Sequence, residues 1–329
     1  MQLQMYSEKW ALDTPFVISR ESTTCQEVLV VEASDGQLTG FGESSPTARY
    51  GESVKSVMSQ FAAVQKRLKD DPQLMLTPQS LQTLLRPGAA RNAIDCALWD
   101  LISKQQNKPV WQQFEMAEPK PVDTVFTISL GRPEDMAFAA KKVQGHAVLK
   151  LKFGGKGDVE RISAIRDALP DQRLIIDANE AWAQSDLEQF LDVMYQHNVE
   201  MVEQPLPAGQ DEILASIEHP MTICADESCH TSRDLDALVG KYDMVNIKLD
   251  KTGGITEAMQ LLQKAKEMHF EVMVGCMVGT SLAMAPGLLI AQHTKYVDLD
   301  GPLLMGQDRD NALKYAEGLV YPSHQGLWG

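Results

Sequence analysis

Short apolar runs that each end in a charged residue recur through the middle of the chain, and their spacing leaves few folds open. The runs AVLKLKF, RLIIDAN, EMVEQP, TICADES and DMVNIKLD place Lys152, Asp177, Glu203, Asp226 and Lys248 at successive intervals of 25, 26, 23 and 22 residues. A strand, a helix and their two loops consume about that length. EVMVGCM and KYVDLD continue the series, ending near Cys276 and at Asp298 and Asp300. Repetition of such a unit predicts a barrel of parallel strands whose active site lies at the strands' C-terminal ends. The charged residues fall at those ends.

Eight strands of this kind do not use all 329 residues, so a second, smaller domain is expected. Residues 1–118 read as an α+β unit. An N-terminal strand is followed by the loop DTPFVISRESTT, by EVLVVEA, and, after the turn SDG, by LTGFGES. Apolar residues at helical spacing then predict helices near 53–69, 78–85 and 88–105. Pro109, Pro119 and Pro121 mark a boundary. The barrel is expected over 119–300, with helices near 133–144, 158–168, 184–197, 209–217, 231–239, 254–268 and 281–292. The tail, 301–329, has no clean final helix and is expected to return to the first domain.

The formal net charge of −15 argues against nucleic acid or an anionic membrane as partner. No basic-then-apolar leader follows Met1, and no apolar run is long enough to span a bilayer. Five scattered cysteines without CxxC spacing read as reduced thiols, so a cytoplasmic location is expected. The oligomeric state, a homo-oligomer included, is left open.

Any one of Asp177, Glu203 and Asp226 could cap a helix or pair with a lysine. Three in phase at consecutive strand ends describe instead an oxygen-ligand site for Mg²⁺. Lys150 and Lys152 alternate with leucines, so both point into the barrel, where burial and neighbouring cations should lower an ammonium pKa towards neutrality. Lys248 lies four strands on, on the opposite wall. Lysines on opposite walls flanking a metal suit removal of a proton from one face of a carbon and its return to the other. Isomerisation at a stereocentre is therefore the expected chemistry. Asp298 and Asp300 share a strand face and would seat a substrate cation. The glycine-rich FGGKGD and KTGG match no phosphate-binding fingerprint, and Cys229–His230 lacks partners at metal spacing.

The ordered set KLK at 150–152, DAN at 177–179, EQP at 203–205, ADES at 225–228 and NIKLDKTGG at 246–254 resembles the enolase superfamily in its muconate-lactonizing subgroup, and GAARNAIDCALWDL at 88–101 resembles that family's capping-domain helix. The resemblance implies a modified TIM barrel, (β/α)7β, with an α+β capping domain. It also implies Mg²⁺ on Asp177, Glu203 and Asp226, Lys152 and Lys248 as the acid/base pair, and Lys150 tuning Lys152. GCMVG stands where a mandelate-racemase relative would carry histidine. TPFVISR, NIKLDKTGG, GCM and DLDGP are similar to bacterial epimerases of the L-Ala-D/L-Glu type. That similarity implies a dipeptide substrate, inversion of its C-terminal α-carbon through an enediolate, and a role in recycling murein peptides. It would put the substrate's ammonium on Asp298 and Asp300, its side-chain carboxylate on Arg20 (Arg49 being the competitor), and Cys276 in the pocket lining. N-acylamino-acid racemase and o-succinylbenzoate synthase use the same lysines, but their substrates have no ammonium for the two aspartates.

Overall fold

The first strand sets the character of the N-terminal region. In the computed structural model, which describes residues 1–322 and 326–329, β1 (Gln2–Val17), β2 (Ser22–Ser34) and β3 (Thr39–Ser44) form an antiparallel meander in the order β1-β2-β3. TPFV, expected as loop, continues β1. The pairing with β2 shifts register between Ala11 and Phe16. Pro15 falls inside that shift on an edge strand, where its missing N–H costs no ladder bond. Helices α1 (Val54–Asp70) and α2 (Pro78–Leu84) each begin in a reciprocal cap, Ser53 with Ser56 and Thr77 with Ser80. Helix α3 (Ala89–Gln106) is buried along most of its length. It lies against β3 so closely that a Cβ on Gly42 would sit 2.2 Å from Ala93 O.

After α4 (Val110–Gln113) and β4 (Val122–Asp123) the chain alternates: β5 (Phe126–Ile128), α5 (Pro133–Lys142), β6 (Val148–Lys152), α6 (Asp158–Ala168), β7 (Arg173–Asp177), α7 (Leu187–Gln196), β8 (Val199–Glu203), β9 (Thr222–Ala225), β10 (Met244–Lys248), α8 (Leu249–Thr252), α9 (Ile255–Glu267), β11 (Glu271–Gly275), α10 (Ser281–Ala291) and β12 (Tyr296–Val297). The eight strands β5 to β12 are parallel and adjacent in chain order. Val125 N–H donates to Val297 O at 2.8 Å, which brings the first strand back to the last. This is the barrel with an α+β cap that the spacing called for.

Two expected helices are not there. Residues 209–217 and 231–239 contain only 3₁₀ turns, Glu212–Ser216 and Leu235–Ala237. Pro205, Pro207 and Gly209 keep the first segment out of helical geometry until Asp211, and Pro220 ends it. In the second, loop bonds hold the chain first, with the N–H groups of His230 and Thr231 both donating to Asp234 Oδ2.

The tail meets the cap and the barrel in turn. Gly306 N–H donates to Ala11 O, and Arg309 bonds Glu8 and Glu43 at 2.7 and 2.6 Å. Strands β13 (Lys314–Ala316) and β14 (Leu319–Tyr321) pair with each other and β14 with β4. Gly329 N–H donates to Asp100 Oδ1 on α3. Among the described residues no helix is long and apolar enough to cross a membrane.

Candidate active site

Alternation along the strands builds the barrel interior in layers. Val125, just before β5, and Val148, Ile175, Met201, Cys224, Met244, Met273 and Tyr296, one from each of β6 to β12, pack into a single buried cluster that plugs the floor. Two residues on, the same inward positions hold Thr127, Lys150, Asp177, Glu203, Asp226, Asn246, Gly275 and Asp298. A further step of two brings Lys152, Lys248 and Asp300 to the mouth. A Cβ on Gly275 would come within 2.7 Å of Asn246 and 3.0 Å of Lys248 Cε, so a residue with no side chain makes room for the polar ring.

Oxygens of Asp177, Glu203 and Asp226 lie within 4.8 Å of one another, and all three side chains are buried. Lysines surround them. Lys152 Nζ donates to Asp177 Oδ2 at 2.6 Å and Lys248 Nζ to Asp226 Oδ2 at 2.6 Å. Lys150, two residues deeper on β6, lies 2.7 Å from Asp298, 2.6 Å from Glu203 and 3.2 Å from Asp177. Its approach to Glu203 Oε2 lies off the hydrogen-bond direction, which leaves that buried oxygen without a donor. Three crowded carboxylates, one with an orphaned oxygen, fit a hard divalent cation.

Burial raises every carboxyl pKa in this cluster, and the lysines decide where each one ends. Asp177, beside Lys152 and Lys150, and Asp226, beside Lys248 and Lys251, are held below the ordinary aspartate value. For Glu203, burial and the Asp177 charge win, and its pKa rises. Burial pulls Lys150 and Lys248 down, but Asp298 and Glu203 around the first, and Asp226 and Glu203 around the second, lift both ammoniums above their ordinary value. At both lysines the surrounding carboxylates outweigh burial.

Lys152 and Lys248 stand on β6 and β10, four strands apart, and line one cavity of about 30 Å³ with Phe16, Thr127, Cys276, Val278, Asp298, Asp300, Gly301 and Leu304. That volume holds about one or two waters. Phe16 comes from the cap, its ring 5.8 Å from Lys152 Nζ. Asp298 is held low by Lys150 against the effect of burial. Asp300 is pushed to about 7 by burial and by Asp298, and one of its oxygens accepts from Thr127 N–H at 2.7 Å. Lys150 lies beneath this cavity and does not line it, and Arg20 lies outside it on the turn between β1 and β2.

Several supporting residues escaped the sequence reading. Lys251 is fully buried and donates to Asp226 O, Asp226 Oδ1 and Asn246 O. Gln204 accepts from the Asp226 and Ser228 N–H groups, which fixes the loop that carries Asp226. Asn246 donates to Glu203 at 2.7 Å. Its signal was available, since it stands two residues before Lys248 as Lys150 does before Lys152. Nothing comparable marked Lys251. From the cap, Arg91 and Asn92 on α3 bond Thr252, Gly253 and Asp250, which anchors the segment after Lys248.

Comparison with known proteins agrees with this geometry. A family model described as the mandelate racemase / muconate lactonizing enzyme N-terminal domain matches residues 1–114, and one described as enolase C-terminal domain-like matches 134–327. The L-Ala-D/L-Glu epimerase of Escherichia coli strain K12 is 43% identical over 97% of this chain and 99% of its own. An N-acetyl-D-glutamate racemase from a Pseudoalteromonas species is 43% identical over 92% of this chain and 95% of its own. A solved structure from Agrobacterium tumefaciens is 46% identical, covers 99% of both chains and superposes with a TM-score of 0.96. It is described as an enolase family member with homology to dipeptide epimerases, with bound sodium and L-Ala-L-Glu.

Proposed function

The chain belongs to the mandelate racemase / muconate lactonizing enzyme family of the enolase superfamily, and from that membership we propose that it is a Mg²⁺-dependent dipeptide epimerase of the L-Ala-D/L-Glu type. The observation that carries the reading is the pair Lys152 and Lys248, facing one cavity from opposite walls with three clustered acids on the strands between them. As an isomerase it inverts the α-carbon of the dipeptide's C-terminal residue. One lysine takes the α-proton and the other returns a proton to the opposite face. Asp177, Glu203 and Asp226 would hold the cation. When bound, Mg²⁺ supplies a seat for the substrate's α-carboxylate, stabilises the charge left by proton removal and offsets the acids that hold the lysines protonated. Lys150 keeps Asp298 and the acid cluster in place. Asp298 and Asp300 receive the N-terminal ammonium, Cys276 lines the wall, and Arg20 meets a side-chain carboxylate.

The cavity as it stands is smaller than a dipeptide, so binding has to displace lysine–acid contacts and move the end of β1 that carries Phe16. The division of labour proposed is a cap over 1–118, a catalytic barrel over 119–300 and a tail over 301–329 that ties them together. Five unpaired cysteines support a cytoplasmic location.

N-acetylglutamate is the second substrate to weigh, because the 43% identical racemase is named for it. It has no ammonium, so Asp298 and Asp300 favour the dipeptide. Incubation with Mg²⁺ and L-Ala-L-Glu in D₂O, followed by NMR, should show loss of the glutamate α-proton signal and growth of the L-Ala-D-Glu diastereomer. Chelation of the metal should stop both. Turnover of N-acetylglutamate with none of the dipeptide would transfer the reading to the racemase.

A further inference from the structure

Two loops of the cap end on one carboxylate at the barrel mouth. Arg49, from the loop after β3, meets Glu180 through a two-point fork, Nε to Oε2 at 2.6 Å and Nη2 to Oε1 at 2.5 Å. Arg20, from the β1–β2 turn, reaches Glu180 Oε2 at 3.1 Å, Asn179 O at 3.0 Å and Glu227 Oε1 at 2.6 Å. From the barrel side Ala208 N–H donates to Glu180 Oε1 at 2.9 Å. The backbone is set for this as well, since Glu180 has φ +66 and its N–H donates to Gln204 O. The Glu180 side chain is only 9% exposed, whereas Arg20 and Arg49 are 31% and 35% exposed. The acid is therefore the fixed part, and the two guanidiniums are oriented by it. Among the described residues, Arg20 Nε and Arg49 Nη1 find no acceptor in the protein, so each planar fork still has a donor to offer a ligand.

We infer that Glu180 is a positioning residue for side-chain recognition. Its carboxylate is the template that holds Arg20 and Arg49 over the mouth, so that their free donors select an acidic side chain on the substrate's C-terminal residue. This rests on the reading in which Arg20 meets the side-chain carboxylate, and adds to it Arg49 and the acid that orients both arginines. The Glu180 carboxylate is bonded by Arg20, Arg49 and Ala208 N–H and by neither Lys152 nor Lys248, so its effect passes through the arginines and should appear in binding more than in turnover.

The test is calorimetric binding of L-Ala-L-Glu and of L-Ala-L-Gln, with Mg²⁺, to the wild type, E180Q and E180D, alongside epimerisation of both dipeptides in D₂O. The wild type should prefer L-Ala-L-Glu. E180Q should weaken that dipeptide about tenfold, and the glutamine analogue by about twofold, because one charge-organised contact is lost only for the acid. The loss should fall on KM rather than kcat, and E180D should recover part of it. Equal weakening of both dipeptides would reduce Glu180 to a strut, and tighter binding of L-Ala-L-Glu by E180Q would make it a competitor of the substrate. Either result overturns the inference, as does a wild type that does not distinguish the two. Preference for the acid that vanishes in E180Q, in a protein that epimerises neither dipeptide, would sink the epimerase reading and leave this one standing. Epimerisation with the preference intact in E180Q would do the reverse.

Discussion

The floor and the polar ring of the barrel are two residues apart on the same eight strands, and they obey opposite rules. In the floor the residue before β5 and each of β6 to β12 contribute an apolar side chain, from Val125 round to Tyr296, and the layer is closed to water. One step of alternation higher, the inward positions carry three acids, Lys150, Asn246 and Asp298, equally buried but held by ion pairs and hydrogen bonds among themselves and with Lys152, Lys248 and Lys251. Burial is therefore not what separates scaffold from site. The floor gains stability by removing apolar surface from water. The ring pays for desolvation with ion pairs that a cation and a substrate can exchange for their own.

That contrast breaks most sharply at the lysines. Replacing Lys248 with Ala should cut epimerisation by about 10³-fold or more with little change in the melting temperature. In D₂O, one epimer should still exchange its α-proton through Lys152 alone, and loss of all exchange from both epimers would remove the two-lysine division. Met244, two turns of alternation below Lys248 on β10, should behave inversely. Met244→Ala should cost about 3 kcal/mol in denaturant unfolding while kcat per folded molecule stays within about twofold. A large fall in kcat there would mean that the floor tunes the chemistry.

Asp298→Asn should lower kcat/KM for L-Ala-L-Glu by about tenfold and leave N-acetylglutamate turnover, where present, less affected. Equal loss on both would remove the ammonium seat, because Lys150, which Asp298 also holds, serves either substrate. The smallest effect belongs to the floor again. Ile175→Val, beneath Asp177 on β7, should destabilise by about 1 kcal/mol in the same unfolding measurement, with metal affinity unchanged.

The legible part of this molecule was the part with a period. Strand alternation gave the inward face of β6, and the intervals between charged ends gave the order of the eight strands. The failures have local causes. TPFV joined β1 because an edge strand tolerates Pro15 at a register shift. The helices after β8 and β9 shrank to single turns because proline in one case and loop bonds to Asp234 in the other took the residues a helix needed. Lys251 was missed because it lies beyond the end of β10, where alternation no longer says which way a side chain points.

By itself, the sequence determined which residues face the barrel axis and in what order they meet there, since a two-residue period and a βα rhythm are properties of the chain alone. Which charges neutralise which was decided by the tertiary structure. The raised pKa values of Lys150 and Lys248, the bridging of Lys150 between three acids and the convergence of Arg20 and Arg49 on Glu180 all join residues 22 to 160 positions apart. Electrostatic energy depends on distance in space and on the medium between the charges, and neither exists until the barrel has closed and the cap has come down on it.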